Sequence, residues 1–177
     1  MQNEHVFQFD IGAEIDRYFD DSSLPNGADS RIVIFMGGVA GGKTTLRKQH
    51  YSTGFVLVDA ADIFLNLSGG GFFPFPEAFE ETMQIIGSIV AQRAIAERRN
   101  IVTELIGAEL DPAKNLIEAM LAIDYKVDLQ AITCDVEEAQ RRNLNRDDDC
   151  ISAYYAEPYQ RAWLREAAVA AQKARPL

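Results

Sequence analysis

A glycine-rich segment at residues 37–44 has the residue types of a phosphate-binding loop. It reads Gly-Gly-Val-Ala-Gly-Gly-Lys-Thr, which is the G-x-x-x-x-G-K-T pattern called Walker A. Glycines let backbone N–H groups wrap around phosphate oxygens, and the helix that follows presents the positive end of its dipole to the same anion. Lys43 is predicted to reach the β- and γ-phosphates of a nucleotide, and the Thr44 hydroxyl to bind Mg²⁺. The predicted nucleotide contacts are Gly38, Val39, Ala40, Gly41, Gly42, Lys43, Thr44 and Thr45.

The residues around this loop favour phosphate binding over an ordinary glycine-rich turn, which is the alternative. A continuous apolar run at residues 32–35 precedes the loop and is typical of a buried strand, and a helix is predicted from about residue 42. The dinucleotide pattern G-x-G-x-x-G is absent, as is the Asn-Lys-x-Asp of switch GTPases. The third predicted strand ends in Thr103-Glu104 rather than in the Asp expected of an ATPase motor. A small-molecule kinase fits these features best.

Two carboxylates follow the second predicted strand, in the stretch Val58-Asp59-Ala60-Ala61-Asp62. The carboxyl edge of a parallel sheet is where ligands bind, so both should lie near the phosphate loop. Asp62 is predicted to accept the proton of a substrate hydroxyl, and Asp59 to act on magnesium through water. The alternative is that one carboxylate caps the next turn while the other is merely solvated.

Arginines after the fourth predicted strand are candidates for stabilising charge on a transferring phosphoryl group. Arg142 and Arg146 are four residues apart and share a helix face, and Arg141 precedes them. The forked guanidinium matches phosphate geometry, so an arginine here can act as a lid over the γ-phosphate. Three aspartates follow at residues 147–149, which leaves a surface salt-bridge cluster as the alternative.

Alternation of strands and helices predicts an α/β fold with a parallel sheet covered on both faces. The expected architecture is that of a P-loop NTPase, three layers α/β/α with four or five parallel strands, similar to nucleotide kinases. Strands are expected at 32–35, 55–58, 101–103 and 127–133. Helices are expected at 10–21, from about 42, at 77–99 and at about 158–174. Another helix is expected to begin with Asp111 as its cap and Pro112 as its first position, and a further one to run from a cap at Asp135 to about 146. An irregular loop is expected at 66–76.

Composition narrows the class of protein. The 177 residues include 17 Lys plus Arg and 27 Asp plus Glu, so the net charge is −10, and residues 1–30 alone carry seven acids and one base. This acidity argues against general binding to nucleic acid or to anionic membrane. The length predicts one domain, a P-loop kinase domain at 31–177, preceded by an acidic N-terminal helix and linker at 1–30. Two cysteines, no signal-peptide pattern and no long apolar run predict a cytoplasmic protein without a membrane segment.

Four segments together resemble the zeta-toxin family of P-loop kinases, over about residues 31–146. They are GGVAGGKTTLR, DAADIF, IVTEL and ITCDVEEAQRRNLNR. The resemblance implies ATP and Mg²⁺ as cofactors and transfer of phosphate to a sugar hydroxyl of UDP-N-acetylglucosamine. It also implies that Asp62 is the base, that Glu104 binds substrate and that Arg146 is the lid arginine. Several members are toxins held by a small antitoxin, so an antitoxin is a candidate partner beside the small-molecule acceptor.

Weaker signals and other hypotheses stay open. Phe73, in a Gly-Phe-Pro-rich loop after Asp62, and Tyr154, near the arginines, are candidate substrate contacts. A loop whose rings pack onto the domain is the alternative for Phe73. Leu65, Leu105 and Ile106 differ from the family pattern, which keeps another small hydroxyl acceptor open. A nucleotide or polynucleotide 5′-kinase and a regulatory nucleotide-binding module without turnover are the other hypotheses.

Overall fold

Parallel strands and flanking helices form the described part of the chain, which in this computed structural model comprises residues 10–20, 29–69, 77–106 and 110–145. The strands are β1 (Arg31–Gly37), β2 (Val56–Val58), β3 (Ile101–Leu105) and β4 (Lys126–Ile132). The helices are α1 (Ile11–Asp20), α2 (Lys43–His50), α3 (Ala60–Leu67), α4 (Glu77–Ala96), α5 (Leu110–Ala122) and α6 (Val136–Leu144).

The four strands form one parallel sheet in the order β2-β3-β1-β4. β1 is therefore flanked by β3 on one side and by β4 on the other, with Phe35 paired to Glu104 and Gly37 paired to Ile132. This register brings the loop that follows β1 next to the last residues of β3. The predicted parallel α/β sheet is confirmed, with four strands.

Alternating residues of β1 feed two separate hydrophobic clusters, which makes the arrangement three-layered. Ile32 and Ile34 pack in a cluster with apolar residues of α1, α3, α4 and α5. Val33 and Phe35 point to the opposite face and pack with residues that include Leu46 of α2. Because successive strand side chains face opposite sides, an uninterrupted apolar strand is the expected consequence of covering both faces.

Helix α1 packs in the same cluster as the helices on one face of the sheet. Its Ile15, Tyr18 and Phe19 are buried there. Arg93 of α4 holds it from outside, with Nη1 2.6 Å from an Asp16 carboxylate oxygen and its guanidinium 4.0 Å from the Phe19 ring centroid. The predicted amphipathic helix is thus present, and its apolar side joins the main core. The division of the chain at residue 30 stays a prediction.

Local structure differs from the sequence prediction most at α3 and at the start of α5. Helix α3 was not predicted, and the expected loop at 66–76 begins inside it. Asp59 starts α3 as its N-cap, accepting a hydrogen bond from the backbone N–H of Ala61 at 3.0 Å. Helix α5 begins at Leu110, so Asp111 lies in its first turn rather than before it, where its charge still complements the helix dipole. Asp135 caps α6 as predicted, and that helix ends at Leu144.

Residues 22–28 of the linker expected at 22–30, and the helix expected at 158–174, lie outside the described residues. Within the ranges that are described, every helix is too short or too polar to cross a bilayer.

Candidate active site

The segment between β1 and α2 has the close backbone packing that its glycines allow. A Cβ atom on Gly37 would collide with the backbone carbonyl of Ile132, so the approach of β4 requires glycine there. Gly42 caps α2 in the left-handed region at φ 101°, a conformation that side chains disfavour. Between them the Gly41 N–H donates to the Gly38 carbonyl oxygen at 3.2 Å. The loop therefore turns tightly and opens the N-terminus of α2 toward the sheet edge.

A cavity of about 860 Å³ lies at this edge, bounded by the loop on one side. It brings together seven of the eight predicted nucleotide contacts; the eighth, Gly38, belongs to the same loop but does not line the cavity. Residues from the start of α3, from the end of β3, from α4 and from α6 complete the wall. The lining residues are Val39, Ala40, Gly41, Gly42, Lys43, Thr44, Thr45, Leu46, Asp59, Ala60, Ala61, Met83, Glu104, Ile106 and Arg142.

Lys43 keeps its ammonium against the loop. Its Nζ donates hydrogen bonds to the carbonyl oxygens of Gly37 at 2.7 Å and Gly38 at 2.9 Å. The positive charge therefore sits at the mouth of a loop whose backbone N–H groups can also face an anion. This is the placement expected of a lysine that contacts phosphate oxygens.

Glu104 joins the phosphate loop to the sheet and to α2. Its Oε2 accepts a hydrogen bond from the Thr44 hydroxyl at 2.9 Å, and its Oε1 accepts one from Arg47 Nε at 2.6 Å. The side chains of Arg47 and Glu104 are only 8% and 9% exposed, so this ion pair is buried. Arg47 is therefore paired with Glu104 and does not line the cavity.

Asp59 faces the same cavity from the start of α3. Burial and, after it, the nearby charge of Glu104 raise the pKa of its carboxyl to about 6, although the Ala61 N–H and Arg47 act to lower it. The surroundings of Asp59 therefore destabilise the ionised form of its carboxyl group. A cation beside it would relieve that penalty.

Three oxygen-bearing side chains in the cavity wall suit a magnesium ion. Thr44, Asp59 and Glu104 all line it, and Thr44 contacts Glu104 directly. Mg²⁺ takes oxygen ligands, usually one or two from protein with waters and substrate phosphates supplying the rest. No group of three or more His, Cys, Asp or Glu side chains within the described ranges is arranged as a dedicated metal site. The donor set fits an ion shared with a nucleotide.

Asp62 lies in the first turn of α3, next to the cavity wall but outside its lining. Its Oδ2 accepts hydrogen bonds at 3.1 Å from Arg17 Nη2, from the Tyr18 hydroxyl and from Asn66 Nδ2. The two donors from α1 were not found from sequence. Nothing in the linear pattern pairs a residue of α1 with one more than forty positions later.

The predicted arginines separate in the structure. Arg142 lines the cavity with Nη1 close to Gly42, while its Nε donates to Glu138 at 2.6 Å. Arg141 forms two hydrogen bonds of 2.8 Å to the same Glu138 and is exposed, as in the salt-bridge alternative. These bonds lower the pKa of Glu138 to about 2. Three further predicted site residues, Arg146, Phe73 and Tyr154, lie outside the described residues.

Comparison with sequences gives no family model and no curated protein that matches. Comparison with solved structures gives several matches. One, from the PezAT chromosomal toxin-antitoxin system of Streptococcus pneumoniae, has a TM-score of 0.55 and 16% identity over 76% of this chain and 59% of that one. The AvrRxo1-ORF1:AvrRxo1-ORF2 complex with sulphate ions gives 0.61 and 14%, over 90% of this chain and 59% of that one. The Pnkp1/Rnl/Hen1 RNA repair complex gives 0.54 and 16%, over 85% and 48%.

The chain spans between about half and three-fifths of the length of these matched chains. At such low identity the likeness concerns the fold. It agrees with the parallel sheet, with the phosphate loop between β1 and α2, and with the resemblance drawn from the four sequence segments. The chain therefore shares its fold with these structures, in agreement with the zeta-toxin-like fold expected from its sequence.

Proposed function

We propose that this protein is an ATP- and Mg²⁺-dependent phosphotransferase that phosphorylates a hydroxyl group of a small molecule. The observation that carries the proposal is the single cavity shared by the phosphate loop, Asp59, Glu104 and Arg142. A kinase needs phosphate contacts, a metal and a cation at one place, because phosphoryl transfer depends mainly on positioning and charge stabilisation. The fold supports the same reaction class.

The chain supplies the binding groups from both sides of the cavity. The loop and Lys43 hold the β- and γ-phosphates, and Arg142 neutralises charge on the transferring group. Thr44 is the direct metal ligand, with Asp59 and Glu104 accepting from metal-bound waters. A magnesium ion held by these residues would supply Lewis-acid stabilisation of the charge on the phosphates. Glu104 thus serves the metal through Thr44 in addition to the substrate role that the family resemblance implies.

The acceptor is proposed to enter beside the N-terminus of α3. Asp62 is the base that accepts its hydroxyl proton, and Asp59 and Glu104 contact the acceptor's polar groups. A UDP-sugar is the first acceptor to test, in line with the zeta-toxin resemblance. Ile106, exposed in the cavity where the family pattern has a threonine, favours testing less polar hydroxyl compounds as well.

The deciding experiment is incubation with ATP, Mg²⁺ and a pooled metabolite extract, with phosphorylated products read by mass spectrometry. The wild-type protein is expected to form a new phosphomonoester, and Lys43→Ala to form none. Lys48→Ala is the matched control, because Lys48 is an exposed lysine on the same helix. ATP binding that raises the melting temperature without consumption of ATP in any arm would instead indicate a regulatory nucleotide-binding module.

A nucleotide or polynucleotide 5′-kinase is the second candidate, favoured by the fold likeness to the Pnkp1/Rnl/Hen1 complex. Labelled ATP with a 5′-hydroxyl oligonucleotide, and separately with nucleosides, tests it. The net charge of −10 predicts weak oligonucleotide use, because a polynucleotide track needs basic surface.

An antitoxin is the proposed protein partner, in line with the likeness to a toxin-antitoxin system. Growth arrest on expression of the wild type, absent with Lys43→Ala, would support a toxin role. Growth unaffected by a wild type that forms the phosphorylated product would contradict the toxin role and leave the kinase proposal standing.

A further inference from the structure

We propose that Arg17 and Tyr18 of helix α1 are positioning residues for Asp62, holding one oxygen of its carboxylate so that the other accepts the proton of the substrate hydroxyl. The inference rests on the proposed function, since it gives Asp62 the role of base. It assigns to α1 a part in the reaction, beyond the core packing of Ile15 and Phe19.

The contacts on Asp62 are one-sided. Arg17 Nη2, the Tyr18 hydroxyl and Asn66 Nδ2 all lie 3.1 Å from the same oxygen, Oδ2. Over the described parts of the chain, Oδ1 accepts no hydrogen bond from any residue. Three donors on one oxygen fix the carboxylate plane and leave the second oxygen as the one with capacity to accept.

The donors on α1 are themselves held. Arg17 also donates to Glu14 at 3.2 and 3.4 Å, and its guanidinium lies 4.5 Å from the Tyr18 ring centroid. Tyr18 is buried, and its single hydroxyl proton is shared between Asp62 Oδ2 at 3.1 Å and Glu14 Oε1 at 3.2 Å, while the hydroxyl oxygen accepts from Asn66 at 3.2 Å. Burial and the charge of Asp62 raise the pKa of Tyr18, so its hydroxyl keeps its proton and stays a donor.

The helix that carries them is fixed to the domain by contacts that do not involve Asp62. Ile15 and Phe19 are buried in the main core, and Phe19 also packs under Arg93 of α4. A reacting group is held in a productive geometry when a rigid element locks its rotamer in this way. The Asp62 side chain remains 31% exposed beside these donors, so α1 touches the carboxylate without sealing it from a substrate.

The test compares Tyr18→Phe, Arg17→Gln and a matched control, Asp16→Asn, in the full chain. Tyr18→Phe removes a hydroxyl and keeps the buried ring, and Arg17→Gln removes the guanidinium. Asp16→Asn removes an exposed ion pair of the same helix, while the buried Ile15 and Phe19 still hold that helix in place and Asp62 is not touched. The first readout is the ¹³C chemical shift of the Asp62 carboxyl carbon, assigned by its loss in Asp62→Asn. The second is formation of the phosphorylated product from ATP, Mg²⁺ and the metabolite extract.

The carboxyl signal is expected to move in Tyr18→Phe and Arg17→Gln and to stay in place in Asp16→Asn. In the same two variants kcat is expected to fall about tenfold or more, with the KM for ATP unchanged, while the control keeps wild-type kinetics. An Asp62 signal that is the same in all variants overturns the positioning role, whether or not any product forms. A rise of kcat in either variant also overturns the positioning role, because it would show that α1 blocks the access of substrate to Asp62. A wild type that forms no product contradicts the proposed function alone, and the NMR comparison then decides the positioning contact.

Discussion

The Thr44 hydroxyl donates a 2.9 Å hydrogen bond to Glu104, although the two residues are sixty positions apart in the chain. The contact follows from the pairing of β1 with β3, which places Glu104 beside Phe35 just before the phosphate loop begins. It couples the residue that would bind magnesium to a carboxylate already held by Arg47. The phosphate loop is therefore attached to the sheet by a polar chain that ends in a buried ion pair.

The Arg47–Glu104 pair is expected to behave as a coupled unit in stability. Arg47→Met and Glu104→Met should each lower the free energy of unfolding by about 3 kcal/mol, because each leaves a buried charge without its partner. The double variant should lose clearly less than the sum of the two. Urea denaturation of the four proteins measures the coupling as a double-mutant cycle. Strictly additive losses would show that the buried pair has no interaction energy.

The raised pKa of Asp59 predicts that the free energy of unfolding depends on pH. Its pKa in the folded protein is raised to about 6 by burial, above the ordinary value of 3.8, so the folded state disfavours its ionised form. The resulting cost is absent below about pH 4, grows as the pH rises and is complete above about pH 6. Asp59→Asn keeps a side-chain oxygen for the Ala61 N–H and removes the charge. Without Mg²⁺ it should unfold like the wild type near pH 4 and be about 2 kcal/mol more stable near pH 8.

Urea titrations of Asp59→Asn and wild type at several pH values give this difference directly. Excess Mg²⁺ with ATP should make the wild type more stable than Asp59→Asn at pH 8, since only the carboxylate is stabilised by the cation. A stability difference that is the same at every pH would show that the Asp59 carboxyl does not titrate in an unusual range.

Asp62→Asn is expected to abolish phosphoryl transfer while ATP still binds. Loss of a general base removes a factor of about 10² to 10⁴ in rate, and Asp62 lies outside the wall that holds the nucleotide. Turnover is measured by product formation and ATP affinity by calorimetry. Asp128→Asn, a substitution on the edge strand β4, serves as the control for a lost carboxylate elsewhere. Full turnover in Asp62→Asn would remove Asp62 from the mechanism.

Phe19→Ala is expected to lower the free energy of unfolding by about 3 kcal/mol, because Phe19 is buried in the main core against α4. Ile11→Ala, on the same helix at an exposed position, should change it by less than about 0.5 kcal/mol. Denaturant unfolding compares the two. Equal, small effects would mean that α1 is not an integral part of the core in solution.

Linear patterns predicted most of the elements, for physical reasons that differ between them. β1 is apolar at every buried position because both faces of the sheet are covered. Asp135 marks the start of α6 because an N-cap needs a short acceptor side chain. Helix α3 was not predicted because Asp59 and Asp62 were interpreted as site residues at the end of a strand. The same Asp59 also carried the ordinary signal of a cap before Ala60-Ala61.

The sequence by itself determined the phosphate loop. Its glycines, Lys43 and Thr44 are adjacent in the chain, and their function depends on local backbone geometry that neighbouring residues set. Which groups share the site with that loop was decided by the tertiary structure. Hydrogen bonds from Thr44 and Arg47 to Glu104, and from Tyr18 to Asp62, join residues that only strand order and helix packing bring together. No periodicity in the sequence indicates such contacts, because the fold decides which distant positions of the chain come together.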